Sequence, residues 1–110
     1  MTYKQGDTYP TLRATLTDAA GAAVDLTDAT VVLRMVNSAG INVIDDAAVL
    51  ITNATAGEVE YQWTELDTAT PGVFRAEFHA EIFGGGLVSF PNDSYIIIEI
   101  LPALAEAVAV

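Results

Sequence analysis

From Phe74 to Ile82 the chain alternates apolar and polar residues over nine positions without a break. Phe74, Ala76, Phe78, Ala80 and Ile82 fall on one side; Arg75, Glu77, His79 and Glu81 fall on the other. Period two sends successive side chains to opposite faces of a strand, and no helical stripe fits it. A strand with one wet and one apolar face requires a second layer to cover the apolar face. Glu58-Val59-Glu60-Tyr61-Gln62-Trp63 repeats the pattern, with Val59, Tyr61 and Trp63 inward. Leu12, Ala14 and Leu16 alternate with Arg13, Thr15 and Thr17. Further strands are expected at Thr30–Val36, Ile41–Ile44, Ala48–Thr52, Leu87–Phe90 and Tyr95–Leu101, the last with Ile96, Ile98 and Ile100 inward.

Turn chemistry separates these segments. Asp18-Ala19-Ala20-Gly21 and Asn37-Ser38-Ala39-Gly40 each place an Asx residue at the start of a turn and a glycine able to take positive φ at its end. Gly84-Gly85-Gly86 reads as a hairpin loop, Pro91-Asn92-Asp93 parts the last two strands, and Pro71-Gly72 opens the longest one. About eight short strands at this spacing predict an all-β sandwich or barrel. A chain of 110 residues has room for one such domain. That domain is expected over residues 1–101. Residues 102–110 form an apolar C-terminal extension of helix-compatible composition, with Pro102 placed where a first helical turn could begin.

Composition removes whole classes of function. With 52% hydrophobic and 17% charged residues the chain is not a disordered one. The aliphatic run Ile96–Ile98 stops at Glu99, far short of the roughly 20 residues of a spanning helix, so no membrane association is expected. Lys4 is followed by no apolar stretch, which predicts no secretory signal. Without cysteine there is no disulfide, thiolate metal site or thiol nucleophile. Fifteen acidic residues against Lys4, Arg13, Arg34 and Arg75 give a formal charge of −11, which excludes binding through nucleic-acid phosphates.

The catalytic inventory is thin. His79, the single histidine, falls on the polar face of a regular strand between Glu77 and Glu81, weak grounds for a metal site. Ser38, Ser89 and Ser94 lack the Gly-x-Ser-x-Gly context of a nucleophile elbow. Gly84-Gly85-Gly86 lacks the lysine and helix of a phosphate loop. Asp45-Asp46 and Asp25 with Asp28 place carboxylates in loops, as calcium requires, but at no EF-hand spacing, and turn formation accounts for them. No enzyme activity, cofactor or metal is expected.

Several turn and strand motifs together resemble a known family. Gln5-Gly6-Asp7-Thr8, Leu12, Leu16 and Val24-Asp25-Leu26-Thr27-Asp28-Ala29 are similar to the opening of the immunoglobulin-like domain of phage baseplate upper proteins. Gly57-Glu58-Val59-Glu60-Tyr61-Gln62-Trp63 and Gly72-Val73-Phe74-Arg75-Ala76-Glu77-Phe78 resemble its middle, and Phe90-Pro91-Asn92-Asp93 its end. The resemblance implies an antiparallel immunoglobulin-like β-sandwich and a structural protein of a tailed-bacteriophage virion. It would be assembled in the bacterial host in multiple copies against other virion proteins. Baseplate, tail, neck and capsid decoration are all compatible positions. The competing class is a carbohydrate- or receptor-binding module, which requires exposed aromatics or a polar pocket at the loop ends.

Residue by residue, the expected core is Trp63, Tyr61, Phe74, Phe78, Val59 and Ile98. The expected partner-binding residues are Tyr3 and Tyr9 near strand ends and Leu104, Val108 and Val110 in the extension, whose apolar composition points to docking on a neighbour.

Overall fold

The computed structural model describes residues 1–104 and contains nine strands and no helix among them. In chain order these are β1 (Thr2–Lys4), β2 (Leu12–Thr15), β3 (Thr30–Val36), β4 (Asn42–Ala48) and β5 (Leu50–Asn53). They continue with β6 (Glu58–Tyr61), β7 (Gly72–Ile82), β8 (Gly86–Phe90) and β9 (Ile96–Leu101). One sheet has the order β1-β9-β7-β3-β4, with β8 also paired to β7; the other is β2-β6-β5. Their inner faces share one hydrophobic core, an arrangement compatible with a β-sandwich.

The long strand β7 organises the larger sheet. β3 lies antiparallel along one side of it, from Thr30↔Glu81 to Val36↔Arg75. The other side is shared end to end by β8, opposite Phe78–Ile82, and β9, opposite Gly72–Ala76. Phe74, Ala76, Phe78 and Ala80 are buried from β7, Val31, Leu33 and Met35 from β3, and Ile98 and Ile100 from β9. Leu12, Val59 and Tyr61 face them from the smaller sheet. The chain passes from one sheet to the other at Val49, so that β4 and β5 are nearly continuous and the expected breaks at Ile44 and Ala48 shift.

Two features depart from the expected antiparallel pattern. β1 is a ninth strand, and it pairs with β9 in parallel, Thr2↔Glu99 to Lys4↔Leu101. Three residues are too few to show a period, and the pairing exists only because β9 offers an edge. Trp63 lies two residues beyond the end of β6, yet is buried with the strand residues.

The turns at Asp18 and Asn37 are one device used twice. Asp18 Oδ1 accepts from the N–H groups of Ala20 and Ala22, and Asn37 Oδ1 from those of Ala39 and Ile41. Each turn closes with its glycine N–H bonded to the Asx carbonyl. The side chain thus supplies the acceptor that the tight backbone cannot.

Candidate interaction surface

Tyr3 is the main correction to the sequence reading. It is buried, because β1 lays it against Trp63 under the sheet. The Trp63 Nε1–H donates to the Tyr3 hydroxyl at 2.8 Å, and that hydroxyl donates to the Pro10 carbonyl at 3.0 Å. Both polar handles of the aromatic pair are thereby satisfied inside the core. Tyr3 is therefore a core residue and offers no partner contact. Tyr9 is exposed, and so is Leu104. Val108 and Val110 lie outside the described residues. Val59, Tyr61, Trp63, Phe74, Phe78 and Ile98 are all buried.

Tyr61 is anchored differently. Its hydroxyl donates to Asp67 Oδ2 at 2.6 Å, and the same carboxylate oxygen accepts the Thr64 N–H. Thr64 Oγ1 in turn accepts the Asp67 N–H, a reciprocal cap on the loop that follows β6. Burial, then the neighbouring carboxylate, pushes the Tyr61 phenol well above its ordinary value, and burial also raises Tyr3. The unfolded phenols titrate near pH 10, so above that point the unfolded chain loses protons that the folded chain keeps. Stability is therefore expected to fall as pH rises past about 10. Urea titrations between pH 8 and 11.5 check this, and Tyr61→Phe should flatten the fall. A pH-independent midpoint over that range would contradict it.

The outer face of the larger sheet carries two groups of polar contacts, one between β3 and β4 and one between β7 and β8. Arg34 on β3 binds Asp46 on β4 through Nε at 3.1 Å and Nη2 at 2.8 Å. Glu77, opposite Arg34 in the register, turns instead to His79, with its Oε1 2.9 Å from Nε2. That contact lies off the N–H axis and leaves Nε2 without an aligned hydrogen bond. On the other side of the ring, Nδ1 is 3.1 Å from Ser89 Oγ on β8.

A Ser–His–Glu sequence invites comparison with acyl-transfer triads. In those the serine faces Nε2 and the carboxylate Nδ1, the reverse of the order here. Ser89 also sits mid-strand on an open sheet face, not on a strained turn. What the arrangement does is tie β8 to β7. No cluster of three or more histidine, aspartate or glutamate residues that could hold a metal occurs among the described residues.

Comparison with known proteins finds no matching family model and no matching curated protein. The surface must therefore be read from its own chemistry. Two regions stand out. One is a cavity of about 220 Å³ on the outer face, lined by Arg34, Val36, Arg75, Glu77 and Tyr95. There the Arg75 guanidinium lies 5.3 Å from the Tyr95 ring centroid, and among the described residues it has no carboxylate within ion-pair distance. The other is the β7–β8 hairpin, where Phe83 is 76% and Leu87 80% exposed. Exposed Val73 and Ile97 lie on the same sheet, on β7 and β9 beside Arg75. The sequence reading placed this hairpin but did not single out Phe83 and Leu87 as an exposed apolar surface. Gly84-Gly85-Gly86 marks the turn, but the uncharged run Phe83–Asn92 does not mark the surface, since Met35–Ile44 and Ala47–Gly57 are as long and as free of charge.

Proposed function

We propose that this chain is a non-enzymatic structural protein of a tailed-bacteriophage virion, an immunoglobulin-like sandwich that assembles in multiple copies through protein–protein contacts. The observation that supports the sandwich part of the reading is the strand order. An immunoglobulin-like sandwich sets strands C, F and G, with C′ where present, against B, E and D. On this reading β9, β7, β3 and β4 correspond to G, F, C and C′, and β2, β6 and β5 to B, E and D, with β1 and β8 as additional strands. That order supports the same family that the motifs between Gln5 and Leu101 resemble. The virion assignment rests on the resemblance, since such sandwiches host many roles.

Exposed apolar side chains on the hairpin and the outer face fit a module that works by contact. A charge of −11 keeps isolated copies apart, so sedimentation at moderate salt should give a monomer, with assembly supplied by the neighbours. The deciding experiment purifies intact particles from host cells infected with the phage that encodes the chain, then counts copies by quantitative mass spectrometry. Many copies per particle are expected. Particles that lack the chain would remove the proposal.

A second reading, a carbohydrate- or receptor-binding module on the virion surface, is favoured by the Tyr95–Arg75–Arg34 cavity. An aromatic face beside a guanidinium that has no carboxylate in ion-pair distance among the described residues suits an acidic sugar, placed on the side of the cavity away from Glu77. Binding on an array of uronate- and sialate-bearing glycans, lost in Arg75→Ala, would support it.

A further inference from the structure

Five strands lie at sheet edges: β1, β4 and β8 in the larger sheet, β2 and β5 in the smaller. Exposed edges are normally blunted by charge, bulges or brevity. β4 carries Asp45 and Asp46 and two register shifts against β3. β5 has four residues and a register shift, β2 has four with Arg13 exposed, and β1 has three with Lys4. β8 has none of these devices. Its five residues Gly-Leu-Val-Ser-Phe are uncharged and run against β7 in unbroken register.

The hydrogen bonding of that edge can be followed residue by residue. The Gly85 N–H bonds to the Ile82 carbonyl, which closes the turn and makes Ile82↔Gly86 the first hydrogen-bonded pair. Alternation then assigns Ala80↔Val88 and Phe78↔Phe90 to the same class. Glu81↔Leu87 and His79↔Ser89 are the non-bonded pairs, so Leu87 and Ser89 turn their backbone groups away from β7. Asn92 agrees with this: its Nδ2 donates to the Ser89 carbonyl at 3.0 Å from outside the sheet. The outward N–H of Ser89 and both outward groups of Leu87 then face solvent.

The next-door segment shows how such an edge is filled. β8 and β9 lie in line along one side of β7, and β9's own outer edge is taken by β1, from Met1 opposite Ile97 and Glu99 to Gln5 on Leu101. The place beside β8 in the line of β1 has no occupant among the described residues.

We infer that β8 is the docking edge of this module and that its ligand is an extended, alternately apolar segment of a neighbouring virion protein, added as a further strand. The backbone pattern selects a strand, because only an extended chain returns N–H and C=O groups at that spacing. The charge selects a foreign chain. A second copy would bring another −11 to the contact, whereas a segment with lysine or arginine meets Glu81, opposite Leu87, and Asp93 beyond Phe90. A groove of about 320 Å³ between Thr30, Val32, His79, Glu81, Leu87 and Ser89 has room for one of its apolar side chains.

The identity of the partner rests on the virion reading, but the strand addition does not, so the test uses no particles. The probe is a capped nonapeptide alternating valine and threonine between terminal lysines, added to the full chain and followed by amide hydrogen exchange. Saturating peptide should slow exchange at Leu87 and Ser89 at least tenfold and leave the β4 and β5 edges unchanged. The same peptide N-methylated at every valine and threonine should protect nothing, since neither of its edges keeps a donor. Leu87→Pro removes only an outward N–H, so it should fold normally, judged by its melt, and lose peptide binding. Asn92→Ala frees the Ser89 carbonyl and should tighten it. Unprotected Leu87 and Ser89 amides would overturn the inference, as would equal protection by the methylated peptide. Protection that grows with chain concentration and needs no peptide would name a second copy as the occupant, and would overturn it too.

Discussion

Trp63→Ala is expected to lose about 3–5 kcal/mol, a loss that would leave a domain of this size close to its unfolding threshold at room temperature. Trp63 is 2% exposed and stands edge-on to two rings, Tyr3 at 5.0 Å and Tyr61 at 5.3 Å between centroids. It lies beyond β6 and touches Tyr3 on β1, so it joins the two sheets at the end where the N-terminal segment crosses. Truncation removes the indole from all of these contacts at once and opens a cavity whose walls belong to different sheets and cannot close on it. It also deletes the donor to the Tyr3 hydroxyl, although that hydroxyl keeps its bond to Pro10. Trp63→Phe separates the two effects. It retains most of the ring contact and loses the N–H, and should cost about 1–2 kcal/mol. Urea melts followed by far-UV circular dichroism measure both, since Trp63 is the one tryptophan and the variants have no tryptophan fluorescence to follow. An alanine variant whose midpoint matches the parent's would show that the ring is not a structural link.

How much of this was legible in the sequence depends on where each constraint resides. The inward face of β7 follows from composition alone, because nine alternating residues leave one way to bury Phe74 and Phe78. The Asx turns at Asp18 and Asn37 are equally local, each determined within five residues. β1 is not local. Thr2–Lys4 becomes a strand because β9 leaves an edge beside it, and Tyr3 goes inward because Trp63 and Pro10 satisfy its hydroxyl. Nothing within ten residues of Tyr3 signals a partner 60 positions away. The same holds for the free edge. The uncharged run from Phe83 to Asn92 was visible, but its meaning depends on β9 stopping where β8 begins and on β1 covering only β9.

Gly57 carries the largest effect that the sequence conceals. Its φ of +71° marks a turn glycine like several others, and at most such positions a methyl group meets open space. At Gly57 an added Cβ would lie 2.8 Å from the Leu16 carbonyl oxygen and 2.9 Å from that of Val24. These are backbone atoms fixed by hydrogen bonds. The Leu16 N–H donates to the Gly57 carbonyl at 2.7 Å, the Val24 N–H to the Leu16 carbonyl at 2.9 Å, and the Gly57 N–H to the Ala54 carbonyl at 3.1 Å. Three chain segments thus meet where only a hydrogen atom fits, and they cannot part without breaking the bonds that join them. Gly40 provides the comparison, with φ of +80° and nothing within 4 Å of an added Cβ. Gly40→Ala should cost only the left-handed backbone term, about 1–2 kcal/mol. Gly57→Ala adds the collision to that term and should cost at least about 3 kcal/mol, in the range reserved for strained or overpacked sites. The difference between the two variants in one denaturation series isolates the close approach from the φ preference. Equal losses would mean that the segments around Gly57 yield to a methyl group, and that the contact between β2, the Val24 loop and the Ala54 turn is not the rigid joint it is taken to be.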